Sequence, residues 1–177
     1  MWCRVILALF VAMAFAVAPV HACIMLVPIE LADIEYADVV VVGRIDNYKV
    51  ILDPIARERF ANSPDISPKS MSKPIFISDY SMFDVVVDDV LIGKVPQTLT
   101  VTWHNSTFST PEAMSPGPFL IALRHPSSRT PPLRSSGTIL ADPESDHLTV
   151  LQAPCSSAFI FAAESKEADA IRQMLNR

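Results

Sequence analysis

Four consecutive valines at residues 39–42 constrain the fold of this chain more than any other feature. They lie within ADVVVVGRIDNYKVIL, residues 37–52, where the β-branched side chains favour an extended strand over a helix. Because no position of the run offers a polar face to water, we expect a strand that is buried on both sides. Gly43, which follows the valines, predicts a bulge or a sharp coil in that strand.

Two further segments alternate apolar and polar residues, as half-buried strands of an antiparallel sheet do. YSMFDVVVDDVLIGK, residues 80–94, alternates from Phe83 to Asp88. TLTVTW, residues 98–103, has three threonines on one face and places Trp103 on the apolar face, where it is expected to pack in or at the rim of the core. Two more strands are predicted at residues 118–125 and 148–151, which brings the number to five.

Helical patterns flank the five strands. PIELADIEYAD begins with Pro28, which suits a first helical turn. Residues 164–176 carry an apolar stripe at helical spacing, formed by Ala168, Ile171, Met174 and Leu175. A flat sheet of five unequal strands would leave exposed edges, and closure removes them. We therefore predict a mainly β fold, a five-stranded OB-like Greek-key barrel with a short N-terminal helix and a C-terminal helix.

The first 22 residues differ from the rest of the chain. Arg4 is their only charge, and residues 5–20 form an apolar run shorter than the roughly 20 residues that cross a membrane. Val20 and Ala22 place small side chains three and one residues before the Ala22–Cys23 bond. This pattern predicts a signal peptide, residues 1–22, and a secreted or periplasmic protein with no transmembrane segment after cleavage; a retained signal anchor is the alternative.

The processed chain, residues 23–177, has the length of a single domain. Without Arg4 it keeps 13 basic and 19 acidic side chains, a net charge of −6. Because nucleic acid needs a basic face, we expect no nucleic-acid partner. Residues 53–74 combine four prolines with mixed charges and no periodicity, which predicts a long mobile loop.

Two cysteines, Cys23 and Cys155, remain after the signal peptide is removed with Cys3. An even pair in an oxidising compartment predicts a disulfide. Lipidation competes for the same sulfur, since Cys23 follows small residues as a lipobox cysteine does, although His21 stands where a small residue belongs. An acylated Cys23 would leave Cys155 as an odd thiol in an oxidising space, so the disulfide is favoured.

Several segments, taken in order, resemble a known family. A cysteine at the processed N-terminus precedes a short helix and ADVVVVGRI; VLIGKVPQTLTV and GPFLIAL follow, and a late cysteine precedes a helix. This order is similar to that of the netrin-like, or tissue-inhibitor-of-metalloproteinase-like, OB-fold domain in its small bacterial form. Of the family's disulfides, the resemblance implies that only the one joining the N-terminus to the late region survives, as Cys23–Cys155.

The resemblance also implies one specific activity. In the animal inhibitors, the α-amino group and carbonyl of the N-terminal cysteine chelate the zinc of the target protease, and a processed Cys23 would offer both groups. The chain departs from the family pattern there, because Ile24 and Met25 follow Cys23 in place of a Cys-x-Cys opening. With at most one disulfide to anchor it, the segment around Cys23 lacks the pre-organisation on which the affinity of chelation depends.

Three groups of polar residues are candidate sites. His104, His125 and His147 could form an open zinc site, but their spacing matches no ligand motif. His104 and Ser106 lack an identifiable acid and oxyanion hole, and the sequon at residues 105–107 matters only in a eukaryotic secretory pathway. Asp84, Asp88 and Asp89 do not follow a calcium-loop pattern, so a solvated strand face is the simpler interpretation.

These patterns predict a monomeric, non-enzymatic binding module for an unknown protein or surface ligand, with no catalytic, cofactor-binding or metal-binding residues. Residues 53–74 occupy the place of the ligand-contacting loop between the first two strands of an OB fold. The alternatives are an exported metal-binding protein or enzyme that uses His104, His125 and His147, a metalloprotease inhibitor acting through Cys23, and a lipoprotein acylated at Cys23.

Overall fold

The structure is a computed structural model that describes residues 26–52, 58, 79–104, 110–134 and 146–176. Its first element is a 3₁₀ helix, Leu31–Tyr36. Six strands follow: β1 Val39–Ile51, β2 Tyr80–Ile92, β3 Thr98–His104, β4 Phe119–Arg124, β5 Leu148–Val150 and β6 Ile160–Ala162. The last element is helix α1, Lys166–Leu175. The five strands predicted from the sequence are β1 to β5.

Strands β1 to β5 close into a barrel with the order β1-β2-β3-β5-β4 and a return from β4 to β1. All neighbours run antiparallel except β3 and β5, which are parallel through Val101–Leu148 and Thr102–Thr149. The return is made by β1 residues from Val39 to Gly43, which pair with β4. The mainly β, OB-like Greek-key barrel predicted from the sequence is therefore confirmed.

The valine run is buried on both sides, as predicted. Val39 and Val41 face the barrel interior and join its core cluster with Phe83 and Val101. Val40 faces outward and belongs to a second buried cluster. That cluster also contains Phe159. Its buried helical residues are Ile34 of the 3₁₀ helix and Ala168 and Ile171 of α1. The helices thus cover the outer faces of β1 and β4, which explains a strand with no polar side.

Both helices differ in detail from the prediction. The first is a 3₁₀ helix that begins at Leu31, so Pro28 lies before it. Helix α1 begins after Ser165, whose Oγ accepts a hydrogen bond from the Ala168 N–H at 3.2 Å. Of the predicted apolar stripe, Ala168 and Ile171 are buried, whereas Met174 is exposed.

Two features of the sheet were not expected. Strand β6 continues the edge of β4 beyond β5, pairing Ile160 with Ile121. Thr102 was placed on the solvent face by simple alternation, yet its side chain is fully buried and its Oγ1 has no hydrogen-bond partner. Gly43 behaves as predicted, because the β1–β2 register shifts between Val42 and Gly43.

Residues 125–134, the part of the β4–β5 loop that follows β4, are held against the 3₁₀ helix and the start of β1. Arg134 donates two hydrogen bonds, of 2.5 and 2.6 Å, to the buried carboxylate of Asp33. The Arg129 guanidinium lies 5.5 Å from the ring centre of Tyr36. Asp38 accepts a hydrogen bond of 2.7 Å from the His125 N–H. Charged contacts therefore fix the course of this segment along one flank of the barrel.

Candidate functional site

A row of polar side chains crosses the outer face of β1, β2 and β3. Asp46 pairs with Asp84, and Asp84 pairs with Thr100, so the three residues lie side by side on neighbouring strands. Their neighbours Phe83 and Val85 point into the barrel, which turns Asp84 outward. The face formed by the second and third strands is the surface on which OB barrels bind their ligands.

Asn47 joins the two carboxylates of this row. The β1–β2 register shifts between Asp46 and Lys49, and Asn47 at this bulge has a left-handed backbone with φ of 51°. Its backbone N–H donates to Asp46 Oδ1 at 2.8 Å, and its side-chain amide donates to Asp84 Oδ2 at 2.7 Å. Asparagine tolerates the left-handed region better than most residues do, so the bulge and the hydrogen bonds favour the same side chain.

The carboxylate of Asp84 is held in its charged form. The Thr100 hydroxyl donates to Asp84 Oδ1 at 2.6 Å, and this bond is the main reason that the pKa of Asp84 is lowered from 3.8. The Asn47 amide lowers the pKa further, burial opposes the shift, and the charge of Lys49 adds to it. Three strands therefore cooperate to fix one negative charge at a defined position.

A cavity of about 310 Å³ adjoins this row where the β1 bulge meets the β3–β4 loop. Tyr48 forms one wall: its hydroxyl lies 2.7 Å from Ser81 Oγ and donates to the Pro111 carbonyl at 2.6 Å. The Tyr48 ring also stacks on Phe83, with 5.7 Å between the ring centres. Burial raises the pKa of the Tyr48 hydroxyl above 10.0. This wall is therefore a neutral, immobilised ring.

The opposite wall of the cavity comes from the β3–β4 loop. Met114 packs against the barrel core from this loop. Pro116 accepts a hydrogen bond of 2.8 Å from the Ile45 N–H, which ties the loop to β1. A second cavity, of about 340 Å³, lies on the other side of the loop beside Phe119 and Glu164.

The three histidines proposed as metal ligands occupy different places. His104 is the last residue of β3, His125 follows β4 on the surface, and His147 precedes β5. Within the described part of the chain, no group of three or more histidine, cysteine, aspartate or glutamate side chains could hold a metal ion. The structure therefore does not assemble the histidines into the predicted alternative site.

The three aspartates of β2 have different surroundings. Asp88 is exposed and forms an ion pair of 3.2 Å with Arg44, and Asp89 is exposed with its Oδ1 accepting the Val90 N–H at 2.9 Å. The solvated strand face predicted for these two residues is confirmed. Asp84 differs because it is half-buried and belongs to the polar row.

Trp103 packs in the barrel core, as predicted, and is 6% exposed. Its Nε1 donates to Gln152 Oε1 at 3.2 Å. Several other predicted features lie outside the described residues: the signal peptide with the Ala22–Cys23 bond, the sequon with Ser106, and residues 53–74 apart from Glu58, which is exposed.

The N-terminal segment lies beside the late cysteine. Val27, four residues after Cys23, donates its N–H to the Cys155 carbonyl at 2.8 Å and pairs with Ser156 in a parallel bridge. Cys155 is fully buried. Cys23 itself lies outside the described residues, so its pairing and its acylation both stay predictions.

The site residues missed by sequence reasoning are Asn47, Tyr48, Thr100 and Met114. The asparagine in a β-branched strand was a possible signal of the bulge. The other three are ordinary strand and loop residues whose roles depend on cross-strand neighbours, so the sequence contained no local signal for them.

Comparison with protein-family models, with curated proteins and with solved structures finds no match for this chain. Among the described residues, no helix has the length and apolar character to span a membrane. The class of the protein is therefore defined by its strand order: it is a small closed barrel of the OB-like type.

Proposed function

We propose that the processed chain is a secreted or periplasmic, non-enzymatic binding module. Its contact surface is the outer face of β1–β3, centred on Asp84, together with the loop at residues 53–74. The partner is a protein or another surface ligand rather than a nucleic acid. The proposed resemblance to netrin-like domains fits this function, and the OB-like strand order with a C-terminal helix supports it.

The observation that carries the proposal is the fixed carboxylate of Asp84. A surface charge on a free side chain must lose conformational entropy before it can bind, whereas Asp84 is held by Thr100 and Asn47 at 2.6 and 2.7 Å. The position coincides with the surface used by other OB barrels. A pre-oriented acceptor at that position suits recognition of a hydrogen-bond donor or a cation.

Charge selects among the ligands that OB barrels bind. The net charge of −6 after processing and the aspartates on β1 and β2 give this face a negative character. Phosphate backbones would be repelled, since nucleic-acid affinity comes mainly from basic side chains. A neutral or basic protein surface, or a hydroxyl-rich glycan, is compatible with the same charge.

The export proposal includes the Cys23–Cys155 disulfide. The burial of Cys155 and the hydrogen bond from Val27 to the Cys155 carbonyl support it, because Val27 is only the fourth residue after Cys23. Intact-mass spectrometry of the exported protein tests the cleavage site, acylation and disulfide together. We expect cleavage after Ala22 and the loss of two hydrogens relative to the reduced chain. An acyl mass increase would contradict the disulfide and favour a lipoprotein.

Binding is tested with the exported protein on arrays of peptides, glycans and single-stranded oligonucleotides. We expect binding to peptides or glycans, and a loss of affinity of about ten- to a hundredfold in Asp84→Asn, as for removal of a charge-assisted hydrogen bond. Asp89→Asn is the matched control, because Asp89 is a β2 carboxylate outside the polar row. No binding, oligonucleotide binding alone, or an equal loss in both variants would contradict the proposal.

The loop contribution is tested separately. Replacing residues 53–74 with a short glycine-serine linker is expected to reduce binding to the same probe while shifting the thermal melt by only a few degrees, because loop length has a small effect on stability. Unfolding of the variant would show that the loop is structural. Unchanged binding would remove the loop from the contact surface.

A further inference from the structure

We propose that the 3₁₀ helix carries a recognition site for an extended, proline-containing segment with an arginine at each end, and that residues 129–134 of this chain occupy it as an internal ligand. The occupying segment has the sequence RTPPLR. A partner protein that displays a segment of the same chemistry would compete for the site. The site lies apart from the proposed contact surface, because it uses the 3₁₀ helix and none of the residues of the polar row.

The site is formed on one face of the 3₁₀ helix. Because such a helix has about three residues per turn, side chains three positions apart project in the same direction. Asp33 and Tyr36 therefore share a face. The Asp33 side chain is 3% exposed, and Tyr36 is half-buried. The face thus offers a buried carboxylate next to an aromatic ring.

Both ends of the segment are held in the way that proteins hold arginine ligands. Arg134 donates hydrogen bonds of 2.5 and 2.6 Å to the two oxygens of Asp33, which makes a bidentate pair. The Arg129 guanidinium lies 5.5 Å from the centre of the Tyr36 ring, within the range of a cation–π contact. A lysine cannot reproduce the bidentate geometry. The site therefore selects a cation at both positions and an arginine beside Asp33.

The middle of the segment has the features of a polyproline-II ligand. Pro131 and Pro132 fix φ near about −65° and restrict the residues before them to extended backbone. Pro131 is buried, whereas Pro132 and Leu133 are exposed. One buried proline between two arginine anchors gives three points of recognition. Pre-formed extended segments dock in aromatic-lined grooves through contacts of this kind.

Side chains hold the segment in place. Within the part of the chain that the structure describes, the backbone of residues 129–134 forms no hydrogen bond with a strand or a helix. Leu133 is 42% exposed, and the Arg134 side chain is 29% exposed. Departure of the segment would therefore break no bond of the sheet, so one ligand can replace another while the barrel stays closed.

The two surfaces have complementary charge beyond the anchors. Residues 26–38 contain four acidic and no basic side chains, whereas residues 124–134 contain three arginines, one histidine and no acidic side chain. Charge complementarity of this kind favours encounter with an arginine-bearing partner. A buried ion pair is weak evidence for a role in stability, which also favours recognition.

The tether makes the internal ligand a competitor of any partner. A segment linked to its own site acts at an effective concentration in the millimolar range. Weak ligands in solution are therefore excluded while residues 129–134 are seated. The contact is autoinhibitory, and a partner gains the site either by higher affinity or after the segment is released.

The test is a calorimetric titration of the exported protein with the peptide acetyl-SRTPPLRS-amide, which copies residues 128–135. The double variant Arg129→Gln, Arg134→Gln releases the internal ligand, so the peptide should bind it about tenfold more tightly than it binds wild type. The peptide should also raise the melting temperature of the double variant. Absence of binding to the double variant, or equal affinity for both proteins, would overturn the proposal.

A second variant keeps both arginines. Pro131→Gly with Pro132→Gly loosens the segment by raising the entropy of its released state, so peptide affinity should rise about fivefold over wild type. Unchanged affinity would contradict the internal-ligand role, whether or not the double arginine variant folds.

Controls define the chemistry of the site. A peptide with glutamine in place of both arginines should bind the double variant about tenfold more weakly, and lysine in place of the second arginine should weaken binding about fivefold. Equal binding of the lysine peptide would overturn the role of Asp33. Adding Asp33→Asn to the double variant should abolish binding. Glu35→Gln is the matched control, because Glu35 is an exposed carboxylate of the same helix; an equal loss would show a general effect of charge and overturn the site.

The outcomes separate this site from the proposed function. Asp84→Asn should leave peptide binding unchanged, and a loss of peptide binding in that variant would overturn the assignment to the 3₁₀ helix. If the double variant does not bind the peptide while the array ligands still bind in an Asp84-dependent manner, the internal-ligand site is wrong and the binding module stands.

Discussion

Replacing Gly43 with alanine tests how closely β1 and β2 approach at the point where the barrel closes. A Cβ atom on Gly43 would lie 2.6 Å from the Val86 carbonyl oxygen and 3.0 Å from Val85 Cγ1. A carbon atom normally stays about 3.3 Å from a carbonyl oxygen, so the two strands must separate by roughly 0.7 Å. Gly43 also pairs with Phe119 of β4, so β1 has a strand on either side at this point.

The expected cost follows from two opposing effects. Overpacking of this kind costs about 1–3 kcal/mol, whereas the reduced entropy of the unfolded chain favours alanine by about 0.4–1 kcal/mol. We therefore expect Gly43→Ala to lower the free energy of unfolding by about 1–2 kcal/mol. For a chain of this size, that corresponds to a fall in melting temperature of roughly 2–8 °C.

The assay is urea unfolding followed by tryptophan fluorescence. A chain that begins at Cys23, as proposed, contains Trp103 as its only tryptophan, and the place of Trp103 in the core makes its emission a probe of barrel integrity. The variant should unfold at lower urea concentration with an unchanged slope. Adding Val85→Ala should not rescue it, because the Val86 carbonyl remains in place. Stability equal to or above wild type, or full rescue by Val85→Ala, would refute the reasoning.

Three further predictions concern charge and covalent structure. Because the pKa of Asp84 is lowered in the folded state, its stabilisation is present above the ordinary value of 3.8 and is lost as the pH falls through the lower value. Urea melts should therefore show Asp84→Asn less stable than wild type at neutral pH, with a difference that shrinks as the pH is lowered below 3.8; a difference that does not change with pH would contradict the shift. Cys155→Ser should lower the free energy of unfolding by up to about 4–5 kcal/mol in the same melts, and adding Cys23→Ser should lower it no further; a further loss would exclude the pairing. Arg134→Gln leaves the buried Asp33 carboxylate without its bidentate partner, so calorimetry should show a lower melting temperature that Asp33→Asn partly restores; no change would show that the ion pair is dispensable.

The barrel could be predicted from the sequence because its strands carry strong local signals. The valines at 39–42 and the alternation around Val101 are set by the two faces of a strand, and each was found in the expected place. The burial of Thr102 could not be predicted in this way, because alternation along β3 does not show which other segments cover its polar face. Strand β6 contains only apolar residues, so unlike the equally short β5 it shows no alternation of apolar and polar side chains.

The candidate site was harder to predict because it is made by juxtaposition. Asp84 and Thr100 are far from Asn47 in sequence, and only the sheet register brings them together. One wall of the cavity is Met114 of the β3–β4 loop, and the amino-acid composition of that loop gives no sign that it lines a cavity. The histidines illustrate the opposite case, because residue types suited to a metal did not converge on one place.

The parallel seam between β3 and β5 has a consequence for how this barrel opens. Only two residue pairs, Val101–Leu148 and Thr102–Thr149, join these strands, and β5 is joined to β4 by two pairs as well, whereas β1 pairs with β2 over most of its length. Local opening should therefore start around β5, so the amides of β5 would exchange with solvent sooner than those of β1, while the antiparallel β1–β2–β3 unit and its polar row stay intact. Opening around β5 would therefore leave the proposed contact surface in place.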